Sequence, residues 1–210
     1  MTERYVLLGD VVRSREVDDR DAFRSRLETT RTVVSDTYGT DFVAGPSMLK
    51  GIDELGGVLR SIDHIYDIAL EFADGLHPHP IRLAVAYGQV DVGEDETDVS
   101  QMAGEGFHRA SELLESVEET GLRFDLDTGS HPLDTAVADE INLLLERREA
   151  WTDRQRQIVR SYERLGSQYT VADQLGVSQQ AVSNALQSVS WPFVETVETR
   201  LRETLEVSDP

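Results

Sequence analysis

Cysteine is absent from the 210-residue chain, which excludes disulfides and thiolate metal sites. Lysine is nearly absent as well: Lys50 stands alone beside nineteen arginines. No apolar run approaches the ~20 residues of a membrane span. The opening residues 1–12, MTERYVLLGDVV, lack the basic and long apolar segments of a secretory signal. Repeats and low-complexity tracts are also missing. These absences predict a cytoplasmic protein without a membrane partner. What the chain has in excess is acid, forty Asp and Glu against twenty Lys and Arg, for a net charge of −20. Such a surface is expected of a halophilic protein working in concentrated salt. At about 1 M salt the Debye length is about 3 Å, so the long-range repulsion of an acidic body largely vanishes. The length suffices for one medium domain and one small one.

Residues 154–190 carry the most informative pattern. In the window 168–187, Ala172, Gly176 and Val182 hold the fifth, ninth and fifteenth places. Two helices that cross steeply need a small residue at their contact, which Ala172 supplies. Gly176 can take the positive φ that ends the first helix. Val171, Leu175, Val177, Val182 and Leu186 fall where a small trihelical core needs them. Thr152 with Gln155 fits a capping box, Thr170 with Asp173 a looser one, and Ser178 can cap the last helix. The spacing predicts a helix-turn-helix (HTH). Its last helix presents Gln180, Ser183, Asn184 and Gln187 on one side, with Val182, Leu186 and Val189 turned inward. Gln and Asn pair bidentately with adenine in the major groove, and Ser serves several bases. With Ser178 and Gln179 at the helix start, these residues form the expected surface for double-stranded DNA. An ordinary three-helix bundle with a polar outer face would give the same pattern.

Charge bears on that reading. DNA binders usually neutralise phosphates with a basic patch, yet residues 166–199 contain no Lys or Arg. The one basic island is residues 147–164, with six arginines against Glu149, Asp153 and Glu163. Of these, Arg147, Arg148, Arg154 and Arg156 are the expected phosphate contacts, solvated arginines being the alternative. Trp151 and Trp191 bracket the pattern and read as core anchors rather than base-stacking residues.

The first 130 residues read differently. Residues 5–8 form an apolar run ending in Gly9-Asp10, a buried strand whose last carboxylate emerges at the sheet edge. Residues 19–38 carry Phe23, Leu27, Val33 and Val34 at near-helical spacing. A second strand over 42–49 is interrupted by Gly45-Pro46. Residues 51–59, with Asp53, Glu54, Gly56 and Gly57, read as a turn leading into a helix with Ile62, Ile65, Ala69 and Phe72 on its apolar side. A strand or hairpin follows at 81–92 and a last strand at 122–126, with helices at 107–119, 133–148 and 193–205. The order predicts an α+β fold: a ferredoxin-like or palm-type sandwich over 1–130, its sheet mostly antiparallel with helices on one face. A connecting helix (131–150), a small all-α HTH domain (151–190) and a C-terminal helix and tail (191–210) complete the chain.

Several of these residues bear a resemblance. Gly9-Asp10-Val11-Val12-Arg13-Ser14-Arg15, the Asp53-Glu54 turn with Gly57 downstream, and Gly104-Glu105-Gly106-Phe107-His108-Arg109-Ala110 resemble the SatD-like proteins in order and spacing. So does Trp151-Thr152-Asp153-Arg154-Gln155 followed by an HTH. The resemblance spans about residues 4–190 and implies a palm-like domain joined to a DNA-binding end. The HTH is similar to region 4 of sigma factors. The N-terminal part looks distantly like class III nucleotide cyclases, which hold two metal ions on two aspartates. Asp10 and Asp53 stand at the corresponding places, so the resemblance implies Mg²⁺ or Mn²⁺ with a triphosphate there. The bland alternative is two strand-end acids among forty. Gly104 and Gly106 would let backbone amides approach a nucleotide phosphate, or form a plain turn. The sequence departs from the cyclase pattern at Ile52, where the family turn has glycine, and at His108 and Glu112, where cyclases place an asparagine and an arginine. Without a cation over the developing charge, phosphoryl chemistry lacks its main stabiliser.

No Ser-His-Asp or zinc-site spacing appears, so no catalytic residue is assigned. His77 and His79 read as loop residues, His108 as an interior or half-buried one, and His64 and His131 show no partner. The expectation is a homodimeric DNA-binding regulator whose N-terminal domain senses a small-molecule ligand or mediates dimerisation. The competing expectation is a metal-dependent nucleotide-binding or nucleotide-converting enzyme with an accessory HTH.

Overall fold

A computed structural model describes residues 2–14, 17–49, 54–91 and 98–207. The chain divides into two compact units, residues 1–142 with 202–210, and residues 143–201. No helix among the described residues is long and apolar enough to cross a membrane.

The first unit is built on a five-stranded sheet. Its strands are β1 (Thr2–Val11), β2 (Phe42–Met48), β3 (Glu54–Leu59), β4 (Ile81–Val90) and β5 (Phe124–Asp127), in the order β2-β3-β1-β4-β5. All neighbouring pairs are antiparallel except β4 with β5. Helix α1 (Arg20–Tyr38) connects β1 to β2, α2 (Ile65–Leu76) connects β3 to β4, and α3 (Glu105–Thr120) connects β4 to β5. With β3 lying between β1 and β2, the first four strands have the split βαβ connectivity of a ferredoxin-like fold.

β3 corrects the sequence reading. The paired glycines of residues 51–59 suggest a turn, yet Glu54–Leu59 is an inner strand between β1 and β2. The glycines answer to crowding. A Cβ on Gly56 would lie 2.6 Å from Leu49 Cδ1, and one on Gly57 would lie 2.7 Å from Phe42 Cε1. Both neighbours lean over β3 where it has no side chains of its own.

Helices also cover both faces of the sheet, not one. In β1, Tyr5 and Leu7 point to one side and Val6 and Leu8 to the other, as strand alternation requires. Their register partners in β4 follow suit, Tyr87 and Val85 on the first side, Ala86 and Ala84 on the second. α1 and α2 pack together over the first side, with Phe23, Leu27, Ile68 and Phe72 buried. α3 covers the second, its Ala110 and Phe107 packed with Val6, Ala86 and Val90. A strand buried on both faces reads as an unbroken apolar run, which explains residues 5–8. On α1, Val33 is exposed rather than inward; the buried positions are Phe23, Leu27, Thr30 and Val34.

α4 (His131–Glu149) follows β5. Its Asn142 guards the start of that edge strand: Oδ1 accepts from Arg123 N and Phe124 N, and Nδ2 donates to Phe124 O. The amide thus satisfies backbone groups that no further strand pairs.

The second unit holds α5 (Asp153–Leu165), α6 (Gln168–Leu175) and α7 (Gln179–Ser188), with the end of α4 and most of α8 (Trp191–Val207). It therefore starts eight residues before the expected boundary at 151 and extends past 190. Ile158, Val159, Val171, Ala172, Val182 and Leu186 are buried, as the trihelical reading requires. The capping box of Thr152 and Gln155 is formed. α6 starts earlier than its Thr170 suggests, because Ser167 is the cap and accepts from Thr170 N. Gly176 ends α6 at φ 63°, ψ 38°, in the left-handed region. Val177 N then bonds back to Ala172 O at 3.0 Å, closing the turn. Ser178 caps α7 by accepting from Ala181 N at 3.1 Å.

Candidate functional site

The turn and the Ser178 cap fix how α7 presents its side chains. Val182, Leu186 and Val189 are buried; Ser178, Gln179, Gln180, Asn184 and Gln187 are exposed and Ser183 is half-buried. Gln180 Nε2 donates to Asn184 Oδ1 at 2.8 Å, joining two of these amides across one helical turn. At the other end, Gln155 Nε2 donates to Ser188 Oγ and fastens α5 to the last turn of α7. Tyr169, on the first turn of α6, is 74% exposed, a feature the apolar pattern gives no reason to notice. Residues 166–190 contain a single charged side chain, Asp173.

The arginine island divides into buried and exposed members. Arg148 is only 2% exposed and is a correction to the expectation of a phosphate contact. Its Nε donates to Glu198 Oε1 at 2.7 Å, and its Nη2 to Glu198 Oε2 at 2.9 Å and Glu163 Oε1 at 2.6 Å. The rings of Trp151 and Trp191 approach the guanidinium carbon at 5.0 and 5.5 Å. The two tryptophans are the core anchors expected, with an arginine packed against both. Arg147 donates to Val189 O, and half-buried Arg156 to Glu149 O, the last carbonyl of α4. Arg154 is exposed and donates to Gln157 Oε1. Arg160 and Arg164 are exposed as well. Residues 143–201 carry seven arginines and seven acids, so the whole excess of −20 belongs to the first unit.

In the first unit, Asp10 lies at the end of β1, directly opposite Glu54 on β3 and Arg82 on β4. Asp53 lies outside the described residues. Arg82 Nη1 donates to Asp10 Oδ2 at 3.2 Å and to Glu118 Oε1 at 3.0 Å. The sequence gives no hint of this arginine, which faces Asp10 only through the β1–β4 register. Beside it a cavity of ≈ 300 Å³ opens, walled by Leu8, Leu55 and Leu114 and edged by Asp10, Glu54 and Glu118. Among the described residues no three acidic or histidine side chains cluster closely enough to hold a metal ion.

Gly104 and Gly106 sit where α3 meets β4. A Cβ on Gly104 would lie 2.3 Å from Gln89 O, and one on Gly88 would lie 3.0 Å from Gly106 Cα. Close backbone approach therefore accounts for glycine at these positions without a ligand. His108 is exposed rather than interior. His64 Nδ1 lies 2.7 Å from Asp41 Oδ2, a partner the sequence does not reveal. His79 meets the ring of Phe23 edge-on at 5.3 Å.

An α+β unit with a split βαβ sheet, followed in sequence by an all-α unit that exposes one amide-rich helix, is the class of protein these features define. The chain belongs to the SatD family, whose model matches residues 5–194. No curated protein matches it. Among solved structures it is similar to that of a bacterial light-regulated adenylyl cyclase, at 13% identity and a TM-score of 0.42. That similarity covers 59% of this chain and 74% of the other. At such a distance it says nothing about chemistry.

Proposed function

We propose that this SatD-family chain is a DNA-binding protein of the cytoplasm, a transcriptional regulator in which α6, the turn and α7 form an HTH. The observation that carries the reading is the exposed row Gln180, Asn184 and Gln187 on a helix whose opposite side is buried. An α-helix fits the B-DNA major groove, and amides of this kind read base edges there. The charge division supports it: the unit that would meet the duplex is neutral, and the acid resides elsewhere in the chain. Ser178, Gln179 and Ser183 complete the reading face. Exposed Arg154 and the Tyr169 hydroxyl supply phosphate contacts at its edges, whereas Arg156 is already engaged by Glu149 O.

In this account the first unit is the effector part. The cavity beside Asp10 accommodates a small-molecule or nucleotide ligand, and pairing of two chains places two α7 helices on half-sites about one DNA turn apart. The acidic, lysine-poor composition suits operation in concentrated salt, where base contacts and DNA shape carry more of the affinity. The test is selection from a randomised duplex pool by the full chain in molar KCl. Enrichment of a defined sequence is expected, with loss of that preference in the Gln180→Ala/Asn184→Ala variant. A variant that selects the same duplexes as the parent would overturn the reading.

A second reading, a metal-dependent nucleotide-binding or nucleotide-converting enzyme with an accessory HTH, would place its ligand in the same cavity. Incubation with Mn²⁺ and each nucleoside triphosphate decides it, turnover abolished by Asp10→Asn being the result that would favour the enzyme.

A further inference from the structure

We infer that Gln180 and Asn184 act together as one reader of a single adenine, not as two independent base contacts; this rests on the DNA-binding reading above. The starting point is the 2.8 Å hydrogen bond from Gln180 Nε2 to Asn184 Oδ1. Both residues are exposed and lie one turn apart on the same side of α7. A carboxamide has two N–H donors and one carbonyl acceptor. The bond between the two amides uses a donor of Gln180 and engages the carbonyl of Asn184. The pair is left with the Gln180 carbonyl as its wholly free acceptor, and with the second N–H of Gln180 and the NH₂ of Asn184 as its donors. Turning both amides over exchanges the residues but leaves the same set, one free carbonyl and three N–H groups.

That set selects among the bases. In the major groove adenine presents the N6 amino donor beside the N7 acceptor, the complement of one acceptor and one donor. Guanine presents two acceptors, N7 and O6, which engage only N–H groups and leave the free carbonyl of the pair without a donor. Cytosine offers a donor without the adjacent acceptor, and thymine an acceptor beside a methyl group; either leaves half of the pair unmatched. Arginine, the usual guanine reader, is absent from residues 166–199, so no cation on α6 or α7 competes for that role. Because the two side chains already restrain each other, less rotamer freedom is lost when the base arrives. Ala181 and Ala185 are interleaved on the helix and are small enough to let the amides reach a base edge.

The experiment compares the selection profiles of the full-length parent, Gln180→Ala, Asn184→Ala and the double variant, using sequenced pools of randomised duplex in molar KCl. The expected result is that each single variant loses adenine preference at the same one position, by roughly 5- to 150-fold. The double variant should then lose no more than either single one, the signature of groups acting as a unit. Relaxation at two different positions, adding in the double variant, would overturn the inference and leave the DNA-binding reading standing. A preference for guanine at the shared position would overturn the base assignment in the same way. A parent that enriches no sequence would sink the DNA-binding reading itself, and this inference with it. Both side chains are exposed, so the variants should keep the parent's tryptophan fluorescence, which reports a folded second unit.

Discussion

Replacing Glu198 by alanine removes the bidentate partner of Arg148 and leaves a guanidinium buried against two indole rings. Arg148 and Glu198 side chains are 3% and 2% exposed, so water cannot replace the lost carboxylate. Breaking a buried ion pair by deleting one partner costs about 3–5 kcal/mol. Glu163 still reaches Arg148 at 2.6 Å from a side chain that is 32% exposed, which places the expected loss at the lower end, about 3 kcal/mol. A unit of about 60 residues has roughly 3–9 kcal/mol in total at ordinary stability per residue. For a domain of that size the loss lowers its Tm by roughly 12–24 °C. The assay is built into the sequence: Trp151 and Trp191 are the only tryptophans, and both belong to the second unit. Tryptophan fluorescence therefore follows that unit alone, while far-UV circular dichroism follows both. A companion variant, Arg148→Met with Glu198→Leu, removes both charges and should melt close to the parent, since apolar replacements of buried pairs are often neutral. The reasoning is refuted if Glu198→Ala shifts the fluorescence transition by less than about 4 °C, or if the companion is the less stable of the two.

Three further outcomes are expected. Gly104→Ala puts a Cβ 2.3 Å from Gln89 O at a residue with φ 139°, and should destabilise the first unit by at least about 1–3 kcal/mol; an unchanged far-UV melt would contradict it. The Asp125 carboxyl is pushed up, first by burial and then by Asp139, Asp127 and Asp134, against the lowering effect of the Leu126 N–H. A carboxyl raised in the fold weakens stability as pH climbs through its ordinary range and above. Asp125→Asn should therefore raise the melting temperature at neutral pH, with the gain disappearing in acid; an equal gain at every pH would argue against ionisation as the cause. Burial, reinforced by Asp67 and Glu71, pushes the Tyr38 hydroxyl up to about 12 from 10.0. Stability tied to the protonated phenol should be lost as pH rises from 10 towards 12, and Tyr38→Phe should abolish the latest step of the phenolate absorbance titration.

How far the sequence could be read depended on the range of the interactions concerned. The three helices of the second unit announce themselves because caps, a left-handed glycine and apolar spacing act within a few residues: Thr152 with Gln155, Ser178 and Gly176 all do what their types predict. The α+β class was legible for the same reason. β3 was not, because Gly56 and Gly57 are turn residues by local preference and strand residues only because Leu49 and Phe42 need the space. Helices on both faces left a sign in the unbroken apolar run of residues 5–8, where Val6 and Leu8 face α3, but which helix covers which face depends on contacts between distant segments. In the candidate sites the outward amides of α7 followed directly from helical periodicity. The role of Arg148 did not: Glu198 lies fifty positions away in sequence, and composition alone assigns every arginine near an HTH to phosphate. The Arg82 contact to Asp10 depends on a register between strands 72 positions apart, beyond any local pattern.

The most direct test of the DNA-reading claim is photo-crosslinking from defined positions on the full chain. A photoreactive residue replacing exposed Gln187 on α7 should crosslink to a duplex recovered by selection, in molar KCl, and more strongly than to a scrambled duplex. The same residue placed at exposed Asp21 on α1 should give no such product. Equal crosslinking from both positions, or none from Gln187 with the selected duplex bound, would contradict the claim that α7 lies in the groove.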